Sequence, residues 1–216
     1  MRMLFAALGW MKRPLGELDD AFAELWAAPA IRSELRELFA LLEDRRGRTW
    51  PLAGRLAALP LRVHATYGLD EVMAALDERD KEGRIKRLRE GVFHSKVHRA
   101  DLFFVTLDKS ESDYSPSTMY RDYPLSPRRF HWESQSGIHE DTDTGRRYVE
   151  HVKRDQAILL FVRQKKTERP DVTAPYIFLG PVQYARHEGA KPMAIEWELE
   201  REMPAGLFQE IKVAAG

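Results

Sequence analysis

The chain has 216 residues, 44% hydrophobic and 31% charged, the composition of an ordinary soluble globular protein whose core is large enough to need no staples. It has no cysteine, which excludes disulfides, thiolate metal sites and cysteine nucleophiles. Its 34 basic and 34 acidic side chains cancel, neither the part up to Glu90 nor the part after it is a basic block, and no apolar run approaches the roughly 18 residues of a membrane span. Met1 to Trp10 mildly resembles a signal peptide, but Lys12, Arg13 and Pro14 stand where small cleavage-site residues would be needed. This stretch is read as a packing helix and the chain as cytoplasmic.

Two amphipathic helices are expected next. Leu18, Phe22, Leu25 and Trp26 share a face between Glu17 and Ala28, and Ile31, Leu35, Leu38, Phe39 and Leu42 repeat the pattern from Ile31 to Glu43. Pro29 suits a helix start, Gly47 a stop, and Pro51 to Leu59 a short third helix. Residues 1–60 are therefore expected to form a helical bundle or arm. Residues 61–90 read as a linker with a short helix, Asp70 to Leu76, and a solvated, connecting charged run, Asp77 to Glu90.

From Gly91 the texture changes to short apolar, aromatic and β-branched runs between turn-rich segments. The predicted strands are Gly91–Ser95, Leu102–Leu107, Arg129–Ser134, Arg147–His151, Ala157–Arg163, Tyr176–Leu179, Val182–His187, Met193–Glu200 and Leu207–Val213. In Met193–Glu200, Met193, Ile195, Trp197 and Leu199 face one way and Ala194, Glu196, Glu198 and Glu200 the other. Many short strands with polar loops predict a closed or nearly closed barrel over residues 91–216. The expected fold class is α+β: an N-terminal helical arm followed by a mostly antiparallel β-barrel, with PUA-like and SRA-like barrels as the analogy.

Four stretches could carry chemistry. Lys109 and Ser110, after the strand Leu102–Leu107, suit a phosphate; the competing reading is a charged turn. The proline-rich loop Ser115–Pro127 offers Tyr120 and Tyr123 for stacking on a base and Arg121 for a phosphate, or is a rigid covering loop. In Arg129–Ser136, His131, Glu133 and Gln135 share one strand face, suited to a base edge, opposite Phe130, Trp132 and Ser134. The plainer alternative leaves that face in solvent with Trp132 in the core. Arg146 and Arg147, after Gly145, suit a phosphate, or belong to a hairpin turn with surface arginines.

The runs Asp101 to Leu107 with Lys109 and Ser110, then Ser115, Pro116, Thr118, Tyr120, Asp122 and Tyr123, then Phe130 to Ser136, Thr144-Gly145-x-Arg147-Tyr148 and Leu160 to Arg163 carry a resemblance. Together with Leu179 to Tyr184 and His187 to Ile195, they resemble a bacterial C-terminal domain of unknown function. That domain follows the core of superfamily-two helicases with a phospholipase-D-type nuclease domain, and it also occurs in HNH-type restriction-like nucleases. The likeness covers about Leu61 to Phe208. Gly68 departs from the serine or threonine usual at the helix start there, which weakens the cap. No helicase, phospholipase-D or HNH motif precedes the domain in the sequence, so the expectation is a stand-alone module with a separate partner or the end of a split gene.

The resemblance implies a non-catalytic nucleic-acid-binding module that recognises DNA, modified or foreign, for a partner helicase or nuclease in bacterial defence. On this reading Tyr120, Tyr123 and Trp132 stack, His131, Glu133 and Gln135 read base edges, and Lys109, Ser110, Arg121, Arg146 and Arg147 hold the backbone. No catalytic residue, metal ligand or cofactor is assigned. One alternative is a metal-dependent nuclease using Glu133 with Asp108 or Asp122 upstream. The other is a protein-docking scaffold whose apolar N-terminal helix fits a partner groove.

Overall fold

The computed structural model describes residues 2–7, 18–45, 48–88, 91–108, 121–169 and 172–215. The chain divides into two compact units, Met1–Leu88 and Arg89–Gly216. The first opens with α1 (Arg2–Ala7), α2 (Leu18–Ala27) and α3 (Pro29–Arg45). It continues with β1 (Trp50–Pro51), paired antiparallel to β2 (Arg62–Val63), then β3 (Thr66–Tyr67) and α4 (Leu69–Ala75). In place of a third helix in Pro51–Leu59 there is a single 3-10 turn at Gly54–Leu56, because Gly54 sits at φ +58°, where an α-helix cannot start. α1 packs on α4, where Phe5, Ala6, Val72 and Met73 are buried. Gly68 brings no cap hydroxyl, but its N–H donates to Glu71 Oε2 at 2.6 Å, which supplies half of a capping box. The described part of the charged run folds into a turn: Arg79 bridges Ile85, Asp80 accepts from the Glu82 and Arg84 N–H groups, and Ile85 is buried. Phe22, Trp26, Ile31, Leu38, Phe39, Leu41 and Leu42 of α2 and α3 stay exposed. Leu4, Phe22, Leu25, Trp26, Leu35 and Phe39, with Arg32 and Arg36, line an apolar groove of about 270 Å³.

The second unit runs β4 (Val92–Ser95), β5 (Ala100–Thr106), β6 (Tyr123–Ser126), β7 (Arg129–Glu133), α5 (Asp143–Val149) and β8 (Ala157–Arg163). The hairpin β9 (Thr167–Arg169) and β10 (Val172–Thr173), β11 (Tyr176–Glu188), β12 (Ala194–Leu199) and α6 (Ala205–Ala214) complete it. Among the described residues, seven of these strands form one sheet in the order β4-β5-β8-β11-β12-β7-β6. Neighbours are antiparallel except β5 and β8, which are parallel. After β5 the chain builds the β6–β7 hairpin at the far edge and returns through α5 to β8.

The sheet is mostly antiparallel, as expected, but it does not close into a barrel: β4 and β6 are its two edges. Two stretches read as strands are helical instead. Arg147–His151 begins inside α5, and Leu207–Val213 lies inside α6. The Thr142 hydroxyl caps α5 by accepting from the Gly145 N–H at 3.0 Å and donating to the His139 carbonyl at 2.7 Å. A side chain at Gly145 would put its Cβ 1.9 Å from that carbonyl, so the helix start can lie against this loop only with glycine. In α6, Leu207, Phe208 and Ile211 fall at helical spacing and join the core. Tyr148 and Ile211 thus cover the inner sheet face that a barrel would have closed over.

That inner face carries Phe103 and Val105 from β5, Phe130 and Trp132 from β7, and Ile195, Trp197 and Leu199 from β12. Phe103 stacks on Trp132 at 4.2 Å and meets Tyr148 and Trp197 edge-on. Every residue of β5 is buried, the habit of a parallel-paired strand enclosed on both faces. The two strands read between Tyr176 and His187 are one, because Gly180 at φ +101° absorbs an irregularity against β8 without ending the strand. Alternation along β7 and β12 sends His131, Glu133, Ala194 and Glu196 to the outer face. No described helix is long and apolar enough to cross a membrane.

Candidate functional site

On that outer face Tyr123 pairs with His131, His131 with Glu196, and Glu196 with Arg186. One lateral row therefore runs across β6, β7, β12 and β11, the arrangement in which cross-strand side chains touch. The Tyr123 and His131 rings stack with centroids 4.5 Å apart and planes 13° from parallel. Arg186 donates to Glu196 through one terminal nitrogen and to Glu188 through the other, at 3.2 Å. Arg129 faces the second Glu196 oxygen at 3.6 Å. The hydrogen bond from Arg186 holds the Glu196 carboxyl below the usual carboxylate range, and Glu196 raises the Arg186 guanidinium in return, so both stay charged. The row, with Leu125, His187, Glu188 and Ala194, lines a cavity of about 240 Å³.

A backbone strap holds the rim. The Arg121 N–H donates to Glu133 Oε2 at 3.0 Å, the Glu133 N–H to Asp122 Oδ1 at 3.0 Å, and His131 Nδ1 to the Arg121 carbonyl at 2.9 Å. The last bond assigns the proton to Nδ1 and leaves Nε2 of a neutral His131 as an acceptor. The strap brings Arg121, Tyr123, His131 and Glu133 together, with the Arg121 side chain exposed. It also occupies Glu133 and Asp122 as ligands of backbone amides. Among the described residues no group of three histidine, aspartate or glutamate side chains is placed to hold a metal ion.

The other sequence-predicted residues lie elsewhere. Trp132 is in the core, 5% exposed, because it shares the inner face with Phe130. Gln135 is half-buried after β7, and its carbonyl accepts from the Ser134 hydroxyl at 3.2 Å. Arg146 is exposed on α5 and paired with Asp143 at 2.9 Å. Arg147 is turned inward, with Nε 2.8 Å and Nη2 3.0 Å from the two oxygens of Asp101. Asp101 is fully buried and also receives Gln156 Nε2 at 3.2 Å and His94 Nδ1 at 3.1 Å. Arg147 therefore serves the buried carboxylate, which needs that compensation, in the position where a phosphate contact was expected. Lys109, Ser110 and Tyr120 lie outside the described residues.

A family model described as Domain of unknown function (DUF3427) matches residues 61–211. The chain belongs to this family. No curated protein is a match to the chain. The DUF3427 match runs from the first unit through the whole sheet into α6, so Tyr123, His131, Arg186 and Glu196 all lie inside it. Arg186, Glu188 and Leu125, which line this cavity of the DUF3427 domain, are not marked by the sequence reading, and Glu196 is placed there only on a polar strand face. The alternation of β12 was the available signal. What joins Glu196 to His131 is strand pairing across more than sixty positions, which no local pattern encodes.

Proposed function

We propose that the chain is a non-catalytic nucleic-acid-binding module. Its open sheet face receives an unpaired or extruded base, from DNA, in the cytoplasm. The row Tyr123–His131–Glu196–Arg186 beside one cavity carries this reading. Sheet modules hold single-stranded bases by stacking them on exposed aromatic rings, a role the free faces of Tyr123 and His131 could take, and charged groups next to them can meet a base edge or phosphate. The cavity is smaller than the roughly 300–1,000 Å³ of sites for drug-sized ligands, which suits a single base. With no net charge, affinity must come from this local contact, so the salt dependence should be shallow. An open platform takes the place of the closed PUA- or SRA-like pocket in the mechanism. Service to a partner helicase or nuclease in bacterial defence, and preference for modified or foreign DNA, follow from the resemblance of the motif runs between Asp101 and Arg163.

The test is binding of the purified chain to single-stranded, mismatched and fully paired DNA, unmodified, methylated, hydroxymethylated and glucosylated, at fixed salt with and without magnesium. Binding to unpaired or modified sites without cleavage is expected. Cleavage that disappears in Glu133→Gln would favour a nuclease instead. The exposed apolar groove between α2 and α3 favours a companion role for the first unit as the seat of a partner's amphipathic helix. Phe39→Glu should then abolish co-purification with the helicase or nuclease and leave DNA binding intact.

A further inference from the structure

Resting on that base-binding reading, we infer that the pocket selects guanine. Glu196 and Arg186 are register partners on β12 and β11. The arginines on either side keep Glu196 ionised, so it can only accept hydrogen bonds, and Arg186 can only donate them. One Glu196 oxygen accepts from Arg186 and the other faces Arg129. A carboxylate has about four lone-pair sites in all, so each oxygen keeps capacity for one more donor. Arg186 uses one hydrogen bond at each terminal nitrogen, to Glu196 and Glu188, and the rest of its fork remains available.

Such a site asks for two neighbouring donors beside two neighbouring acceptors. Guanine presents N1–H and N2–H on one edge, matched to a carboxylate, and O6 and N7 on the next, matched to a guanidinium. Adenine and cytosine each offer one exocyclic amine with a ring acceptor beside it. Thymine offers one N–H between two carbonyls. Each of these would set a lone pair against the carboxylate. The N1 and N2 donors are used in Watson–Crick pairing, so the guanine must be unpaired or extruded, with Tyr123 and His131 as the flat wall for its ring.

The experiment uses the full chain and labelled oligothymidylates carrying one central guanine, adenine, cytosine, inosine or 7-deazaguanine, read by fluorescence anisotropy. The guanine oligomer should bind about tenfold tighter than the adenine, cytosine or all-thymine ones, the scale of one good bidentate contact. Inosine, which lacks the N2 amine, and 7-deazaguanine, which lacks the N7 acceptor, should each lose part of that gain. Glu196→Gln should erase the preference while thymine binding persists. The analogue arms use the unmodified chain, so they stand even if Glu196→Gln perturbs folding. Equal binding of all oligomers would overturn guanine selection and leave the base platform standing. Binding of none would overturn both.

Discussion

The two faces of the sheet join arginine to carboxylate in opposite ways. On the inner face Asp101 is fully buried and receives Arg147, Gln156 and His94, so the carboxylate has all its bonds within the fold. On the outer face Arg186 and Glu196 meet beside a cavity, with Arg186 61% exposed and Glu196 11%. The residue chemistry is the same, and the covering differs: α5 lies over the first pair, whereas the second lines open space. A charged residue in a distinctive motif therefore serves the fold as readily as a ligand. Arg147, in the Thr-Gly-x-Arg-Tyr run, is consumed by structure, while Arg186 comes from a stretch with no such mark.

The inner cluster should be the costlier of the two to disturb. Asp101→Ala leaves Arg147 without its buried partner and should cost about 3–5 kcal/mol in urea unfolding. Equal tolerance of Asp101→Ala and Glu196→Ala would erase the distinction between the faces.

A smaller effect comes from His151 on the same side. It is buried, its Nδ1 donates to the Gln156 carbonyl at 3.1 Å, and its Nε2 accepts the Tyr184 N–H at 3.0 Å, so the fold needs the neutral ring. Burial lowers its pKa below the usual value near 6.5. The unfolded chain therefore protonates first, and the stabilisation is complete above about pH 6.5 and lost as pH falls through the lower folded value. One proton can tilt stability by at most about 1.4 kcal/mol per pH unit. Urea midpoints at pH 7.5 and 5.5 should diverge for the natural chain, and His151→Gln should remove that part of the divergence. Smaller again, Thr142→Ala removes the α5 cap and should cost about 1 kcal/mol, read by the same unfolding curves.

Local pattern made some of this legible. Ala157–Arg163 is a strand with the bounds its apolar run indicates, and the alternation of Met193–Glu200 puts Met193, Ile195, Trp197 and Leu199 in the core and Glu198 outside, although Glu196 on the polar face is also buried. The helix near Asp70 follows from Val72, Met73 and Leu76. α5 was not legible because Arg147-Tyr148 has strand-like composition, and what decides the matter is a threonine cap and a glycine pressed against a carbonyl. The sheet stays open because α5 and α6 are helices where closing strands are expected from the sequence. At the site, Tyr123 and His131 could be found from strand alternation and loop proximity. Arg186 could not, because its neighbours arrive through pairing of distant strands. The partner of Arg147 is hidden for a similar reason: Asp101 lies 46 positions away.

On the proposed reading the outer face across β6, β7, β12 and β11 binds a base, and the inner face holds the fold. Tyr123→Ala tests it most directly, with affinity for a single-stranded DNA oligomer measured alongside urea stability. Tyr123 lies at the sheet edge and stacks on His131, so stability should fall by no more than about 1 kcal/mol. Affinity should fall about tenfold, within the range for losing one aromatic stacking surface. Unchanged affinity in a folded Tyr123→Ala chain would contradict the account.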